Sequence, residues 1–245
     1  MAPATEHLPQ VVLMAGGLGT RLGDLGHRRP KTLQPVCGRP FLDYLLVSLV
    51  AQGFCRFHLC LGHLAEQVTD HLRTHWPHLD HGFSVGDPRL GTAGRLRAER
   101  ARLDEVFLLV LGDTFVDIDR PDLCAALSDD DLGVMAISDV APDQPGEIVL
   151  TDAAIVGYDK TLTGETPWVD TGTAVLRKRA LDLVPAGGPP VDLPALFRVL
   201  ITRGLLAAYP SHQAAFDIGT PGRLEIFSDY VSSGANPLLT GWRPR

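Results

Sequence analysis

The run VVLM at 11–14 is apolar at every position and stops on Gly16-Gly17. A strand with one face in water alternates apolar and polar residues, whereas a strand covered on both faces can be continuously apolar. The same kind of run recurs in FHLCLG at 57–62, VFLLVLGD at 106–113 and LGVMAI at 132–137. Between the first of these runs lie stretches of helical spacing: Phe41, Leu42, Leu45, Leu46, Leu49 and Val50 before Gly53, and Leu64, Val68 and Leu72 further on. LGTAG at 90–94 opens another helix. Alternating strand and helix with fully apolar strands predicts an α/β protein, a mostly parallel sheet with helices on both faces.

The second half changes character. EIVLTDAAIVGYDK at 147–160 reads as two short strands joined by Thr151-Asp152-Ala153, a hairpin rather than a crossover. WVDTGTAVLR returns to strand, and VDLPALFRVLITRG is a helix with Asp192 as its cap and Gly204 as its stop. Thr220-Pro221 supplies a cap and a first-turn proline for a last helix through Tyr230. At 245 residues the expectation is one domain, with about 9–135 as one half, about 136–232 as the other and 233–245 as a loose tail.

Composition narrows the partners. A net charge of −7 argues against broad attraction to nucleic acid, and no run reaches the ~18–20 apolar residues of a membrane helix. MAPATEHLPQ lacks the basic and apolar pattern of a secretory signal, so the cytoplasm is the expected location. Cys37, Cys55, Cys60 and Cys124 form no C-x-x-C pair and read as buried reduced thiols. Six of the nine histidines fall between His58 and His81. His71 and His75 stand at zinc spacing on a helix but lack a third ligand, so a solvated helix face or a subunit contact is expected there. A homo-oligomer is therefore admitted.

Cations gather elsewhere. Arg21, Arg28, Arg29, Lys31 and Arg39 lie between 21 and 39, with Asp24 the one acid, directly after AGGLGTRL. This loop is not a dinucleotide fingerprint, which needs G-x-G-x-x-G and an immediate helix, and no lysine follows Gly19 as a Walker loop requires. What remains is a long loop whose glycines Gly16, Gly17 and Gly19 bare backbone amides for a polyphosphate, with Arg21 for bidentate contacts and Lys31 as a point charge.

AGGLGTRL followed by RPKTLQPVCGRPFLDYLL resembles the signature of the sugar-1-phosphate nucleotidyltransferases. LGTAG at 90–94, LGDTF at 111–115, YDK at 158–160, VDTG at 169–172 and FDIGTP at 216–221 continue the likeness over nearly the whole chain. Within the family, F-S-V followed by L-G-T-A-G is most similar to the heptose-1-phosphate guanylyltransferase branch. The resemblance implies a Rossmann-like fold with a small β-hairpin lid over the sugar. It implies an NTP, preferably GTP, and a sugar 1-phosphate as partners, with Mg²⁺ as cofactor. Arg21 and Lys31 are then catalytic, and Ala15, Gly16, Gly17, Gly19, Thr20, Gly91, Thr92 and Asp113 bind the nucleotide. Asp113 and Asp217 hold the metal, while Lys160, Gly146, Asp170 and Thr171 meet the sugar phosphate. Two departures stand out: Gly86 where relatives carry an acid, and Asp170 where they often carry Asn. UTP, CTP or ATP, or a non-sugar acceptor, remain as variants of the same reaction, and an inactive nucleotide-sugar sensor is the alternative of another class.

Overall fold

A computed structural model describes residues 8–17, 19–159, 161 and 166–241. The chain starts with β1 (Gln10–Ala15). The loop after it contains a short helix, α1 (Asp24–Arg28), and ends in a hairpin of β2 (Pro35–Val36) and β3 (Arg39–Pro40). Then come α2 (Phe41–Ala51), β4 (Arg56–Leu61), α3 (Ala65–His75), β5 (Asp80–Val85), α4 (Gly91–Ala98) and β6 (Val106–Leu111). After β7 (Thr114–Val116) and α5 (Arg120–Ala125), the second half runs through β8 (Gly133–Ser138), β9 (Ile148–Thr151), β10 (Ala154–Tyr158) and β11 (Val169–Arg177). It closes with α6 (Leu193–Thr202), β12 (Leu206–Ser211), β13 (Ala215–Asp217), α7 (Pro221–Ser232) and α8 (Pro237–Gly241).

Nine strands form one sheet in the order β5-β4-β1-β6-β11-β8-β12-β10-β9. The pairs β5/β4, β4/β1, β1/β6 and β8/β12 are parallel, while β11 runs antiparallel to both β6 and β8. The α/β, mostly parallel expectation is borne out. Alternate residues of β1 serve opposite faces. Val11 and Leu13 pack with Phe41 and Leu45 of α2 and Val68 and Leu72 of α3, whereas Val12 packs with Leu96 of α4 and with Leu196 and Leu200 of α6. With both faces covered, every side chain of such a strand is removed from water at ~1.5–3 kcal/mol each, which is why the run carries no polar residue.

The β9–β10 hairpin turns through Asp152 (φ +48°) and Ala153 (φ +63°), two left-handed residues as a tight primed turn demands. Thr220 accepts from the Arg223 amide at 3.3 Å and caps α7 as its sequence indicates. Around Phe227 of that helix gather Phe41, Phe115 and Phe216, with ring centroids 5.0, 5.3 and 5.5 Å away. This cluster anchors the β7–β13 ribbon, in which Phe115 pairs Phe216 and Thr114 pairs Asp217.

Several local expectations need correction. The stretch after Ser232 is not loose as far as residue 241: Asn236 donates to Asp117 at 2.7 Å and Leu239 of α8 is buried. Cys37 and Cys55 are exposed. Cys37 sits at φ +47° in the β2–β3 turn, and its thiol rests on the surface of α7, 3.4 Å from the Ser228 carbonyl oxygen and 3.2 Å from Ser232 Oγ. Among the described residues no helix is long and apolar enough to cross a membrane.

Candidate active site

Strands β1, β4 and β6 end side by side, and β1 is where the chain order departs in both directions, toward β4 on one side and β6 on the other. Ligands of open α/β sheets bind outside the carboxyl ends of strands at such a switch point. The glycines allow the backbones to close there. A Cβ on Gly62 would lie 2.4 Å from the Gly16 carbonyl oxygen, and one on Gly26 would lie 2.2 Å from that of Gly19. The loop after Ala15 is thus folded tightly onto α1 and the exit of β4.

The resulting cavity, about 350 Å³, is lined by Ala15, Gly16, Gly17, Lys31, Gly91, Thr92 and Asp113, all singled out by sequence. It is also lined by Gly86, Arg95 and Asp192. Thr20 opens the turn that follows Gly19. The Lys31 ammonium lies 2.5 Å from Asp113 Oδ2, and the lysine side chain is only 11 % exposed. Ile218 N–H donates to the Asp113 carbonyl at 3.0 Å, which brings the chain at Asp217 to the same edge. Asp217 accepts the Gly219 amide at 2.5 Å and pairs with Arg223. Arg21 is exposed beside this group: a Cβ on Gly219 would lie 3.1 Å from its Nη2 and 2.7 Å from Asp217 Oδ1. The structure therefore brings Arg21, Lys31, Asp113 and Asp217 together and adds Arg223, which no motif marked.

Two carboxylates with hard oxygen donors suit Mg²⁺, which takes one or two protein carboxylates and fills its shell with phosphate oxygens and water. Among the described residues no group of three or more His, Cys, Asp or Glu gathers. Cys60 also lines the cavity, and burial pushes its thiol up to about 11, leaving it protonated and unsuited to attack.

On the wall opposite the loop, Gly91 has φ +71°, and a Cβ there would lie 2.5 Å from the Val191 carbonyl oxygen. Asp192 was expected to cap its own helix, α6. Instead its Oδ1 accepts from the Thr92 amide at 2.9 Å and the Thr92 hydroxyl at 3.2 Å, while the Leu193 amide donates to that hydroxyl at 2.8 Å. Asp192 and Thr92 thus cap each other's helices, across 100 residues of sequence.

At the hairpin end, Asp170 accepts from the Tyr158 hydroxyl and from the Gly172 amide, both at 2.8 Å. Thr171 is buried, and its hydroxyl donates to the Ala136 carbonyl at 2.8 Å. Gly146 meets the 166 segment so closely that a Cβ would fall 1.8 Å from the Thr166 carbonyl oxygen. Lys160 lies outside the described residues.

The histidines divide: His63, His75 and His78 are exposed, as expected of a solvated face, whereas His71 and His58 turn inward. His71 Nε2 lies 2.7 Å from Asp43 Oδ1, which also accepts from Trp76 Nε1 at 2.8 Å, so a buried carboxylate on α2 braces α3. His58 is buried on β4, 3.5 Å from Glu99.

Residues 11–177 match the family described as the MobA-like NTP transferase domain. The chain belongs to that family. A protein of Sulfolobus acidocaldarius named "Putative mannose-1-phosphate guanyltransferase" is 28 % identical over 222 residues, covering 86 % of this chain and 59 % of the relative. The D-glycero-alpha-D-manno-heptose 1-phosphate guanylyltransferase of Campylobacter jejuni is 28 % identical over 110 residues, covering 45 % of this chain and 50 % of the relative. This NTP transferase domain thus spans about half to three-fifths of those proteins, and the resemblance to sugar-phosphate guanylyltransferases is borne out. Crystalline HddC from Yersinia pseudotuberculosis complexed with GMP-PN superposes with a TM-score of 0.75 at 24 % identity, over 91 % of this chain and 99 % of that one. That likeness shows the fold.

Proposed function

We propose that this domain joins a nucleoside triphosphate to a sugar 1-phosphate, releasing pyrophosphate. The observation that carries the proposal is the Lys31–Asp113 pair in a glycine-lined cavity at the strand ends, with Asp217 and Arg21 brought next to it through the Ile218–Asp113 hydrogen bond. In this reaction an oxygen of the sugar phosphate attacks the α-phosphorus of the triphosphate, and the bond to the leaving pyrophosphate breaks. Two anions must be held in line while negative charge builds on the bridging oxygens, so positioning and positive charge do most of the work.

The backbone at Gly16, Gly17 and Gly19 approaches the phosphates. Lys31, fixed by its partner, presents its ammonium to them, and Arg21 neutralises the departing pyrophosphate. Asp113 and Asp217 are the residues that would hold Mg²⁺, which supplies further neutralisation of phosphate charge. Gly91 and Thr92 face the base and ribose. Gly146, Asp170, Thr171 and Lys160 serve the sugar phosphate, so the two halves of the domain divide the substrates between them. GTP is the preferred donor, in keeping with the relatives named guanylyltransferases.

A matrix of four NTPs against hexose and heptose 1-phosphates, scored by pyrophosphate release, tests the reading. Release is expected from at least one pair and is expected to fall at least a hundredfold in Asp113→Asn. Metal-supplied, folded protein silent on the whole matrix would overturn it, and a sensor would bind nucleotide sugar with no turnover to lose.

A further inference from the structure

We propose that Arg95 selects the nucleobase, its guanidinium binding the adjacent acceptors O6 and N7 of guanine. The inference rests on the nucleotidyltransferase reading and adds the residue that chooses the donor.

Arg95 is 7 % exposed and lines the same cavity as Gly91 and Thr92. Its head group fills the space that a side chain at position 86 would occupy: a Cβ on Gly86 would lie 0.9 Å from Nη1 and 1.9 Å from Cζ. Gly86 and Arg95 are therefore one device. A carboxylate at position 86 would accept hydrogen bonds. Here the same space holds a group that can only donate.

Part of that group is held by the protein and part faces the cavity. Nη2 donates to the Leu61 carbonyl at 3.2 Å, and among the described residues no carboxylate forms an ion pair with Arg95. No Arg95 nitrogen is a buried atom without a partner among the described residues, so the donors not held by Leu61 are those that a ligand in the cavity can reach. Guanine presents N7 and O6 side by side, the arrangement that arginine meets bidentately, whereas adenine sets an amino donor next to N7. Arg95 stands three residues after Thr92 on α4, so both lie on one helix face. Asp192, held against Thr92, places a carboxylate in the same cavity for the N1–H and N2 amino donors of guanine. Cytosine and uracil offer acceptors to the arginine but not that second pair of donors.

Calorimetric titration of the intact protein with GTP, CTP, UTP and ATP in the presence of Mg²⁺ tests the assignment without needing the sugar. Wild-type protein is expected to bind GTP most tightly. Arg95→Met is expected to weaken GTP about tenfold to a hundredfold, with ATP unchanged. Gly86→Ala keeps the charge but displaces the head group from its seat. It is expected to erode the same preference, and it serves if Arg95→Met does not fold. A selective loss of CTP or UTP instead of GTP would overturn the guanine assignment. Equal weakening of all four, or no change, would reduce Arg95 to a structural residue while the parent reading stands on pyrophosphate release. Wild-type protein that binds no NTP removes both.

Discussion

At the phosphate end Asp113 and Asp217 each meet a cation, and at the hairpin end Asp170 meets a phenol hydroxyl and a backbone amide. The Asp113–Lys31 pair ties positions 82 residues apart, and the Asp217–Arg223 pair joins β13 to the start of α7. Asp170 on β11 takes the hydroxyl of Tyr158 from β10 and the amide of Gly172. An acid–cation pair can exchange partners when phosphates and metal arrive, because the incoming charges replace those given up. A carboxylate oriented by a hydroxyl and an amide keeps its direction and presents a fixed edge. The first arrangement suits charge that changes during a reaction, and the second suits recognition of a rigid ring.

The largest effect is expected where charge is removed. Lys31→Ala takes away a cation fixed in the cavity and leaves Asp113 facing the phosphates alone, so kcat should fall about 10²–10³-fold, the range for losing one well-placed charge donor. Steady-state rates of pyrophosphate release measure it, and a loss under fivefold would put Lys31 outside the reacting centre. Arginine in its place should recover only part of the rate, because the planar fork does not reproduce a point charge held 2.5 Å from Asp113.

Tyr158→Phe probes the hairpin end. Burial and the neighbouring Asp170 push the Tyr158 hydroxyl up, so it stays a donor at all ordinary pH values. Removing it takes one hydrogen bond, to a charged acceptor, worth ~1.5–3 kcal/mol. KM for the sugar 1-phosphate should rise about tenfold or more, while KM for the NTP should stay within twofold. Equal rises in both constants would erase the division between the two ends.

Much of the phosphate end was legible before any coordinates. Glycines that must touch other backbones, and apolar strands that must be covered twice, leave local marks that place Gly16 and Gly19, while Lys31 stands out in the cation cluster and Asp113 through the family resemblance. The base wall was not legible in the same way. Asp192 looked like a helix cap because Asp before a first-turn proline usually is one. Its actual partner, Thr92, lies 100 residues away, and no local pattern encodes such a pairing. Arg95 belongs to none of the sequence motifs, and its inward head group shows only in the space left by the missing side chain at Gly86. The histidines misled for the converse reason. Spacing on a helix says which residues share a face, but the carboxylate that receives His71 comes from a neighbouring helix.

The smallest effect lies behind the base wall and should move neither end. Burial lowers the His58 pKa below its usual 6.5, with Glu99 partly opposing the shift. The folded protein therefore takes up a proton at this site less readily than the unfolded chain. Stability from neutral His58 is fully present above about 6.5, declines as pH falls below it, and levels off once the pH passes the lower folded value. Thermal melting of wild type and His58→Gln between pH 7.5 and 5 reads the difference: the wild-type Tm should fall more steeply on acidification than that of the variant. Parallel slopes would show that His58 is matched in both states. Nucleotide affinity measured over the same range should follow its own course in both proteins alike, because His58 lies between β4 and α4 and is not among the residues that line the cavity.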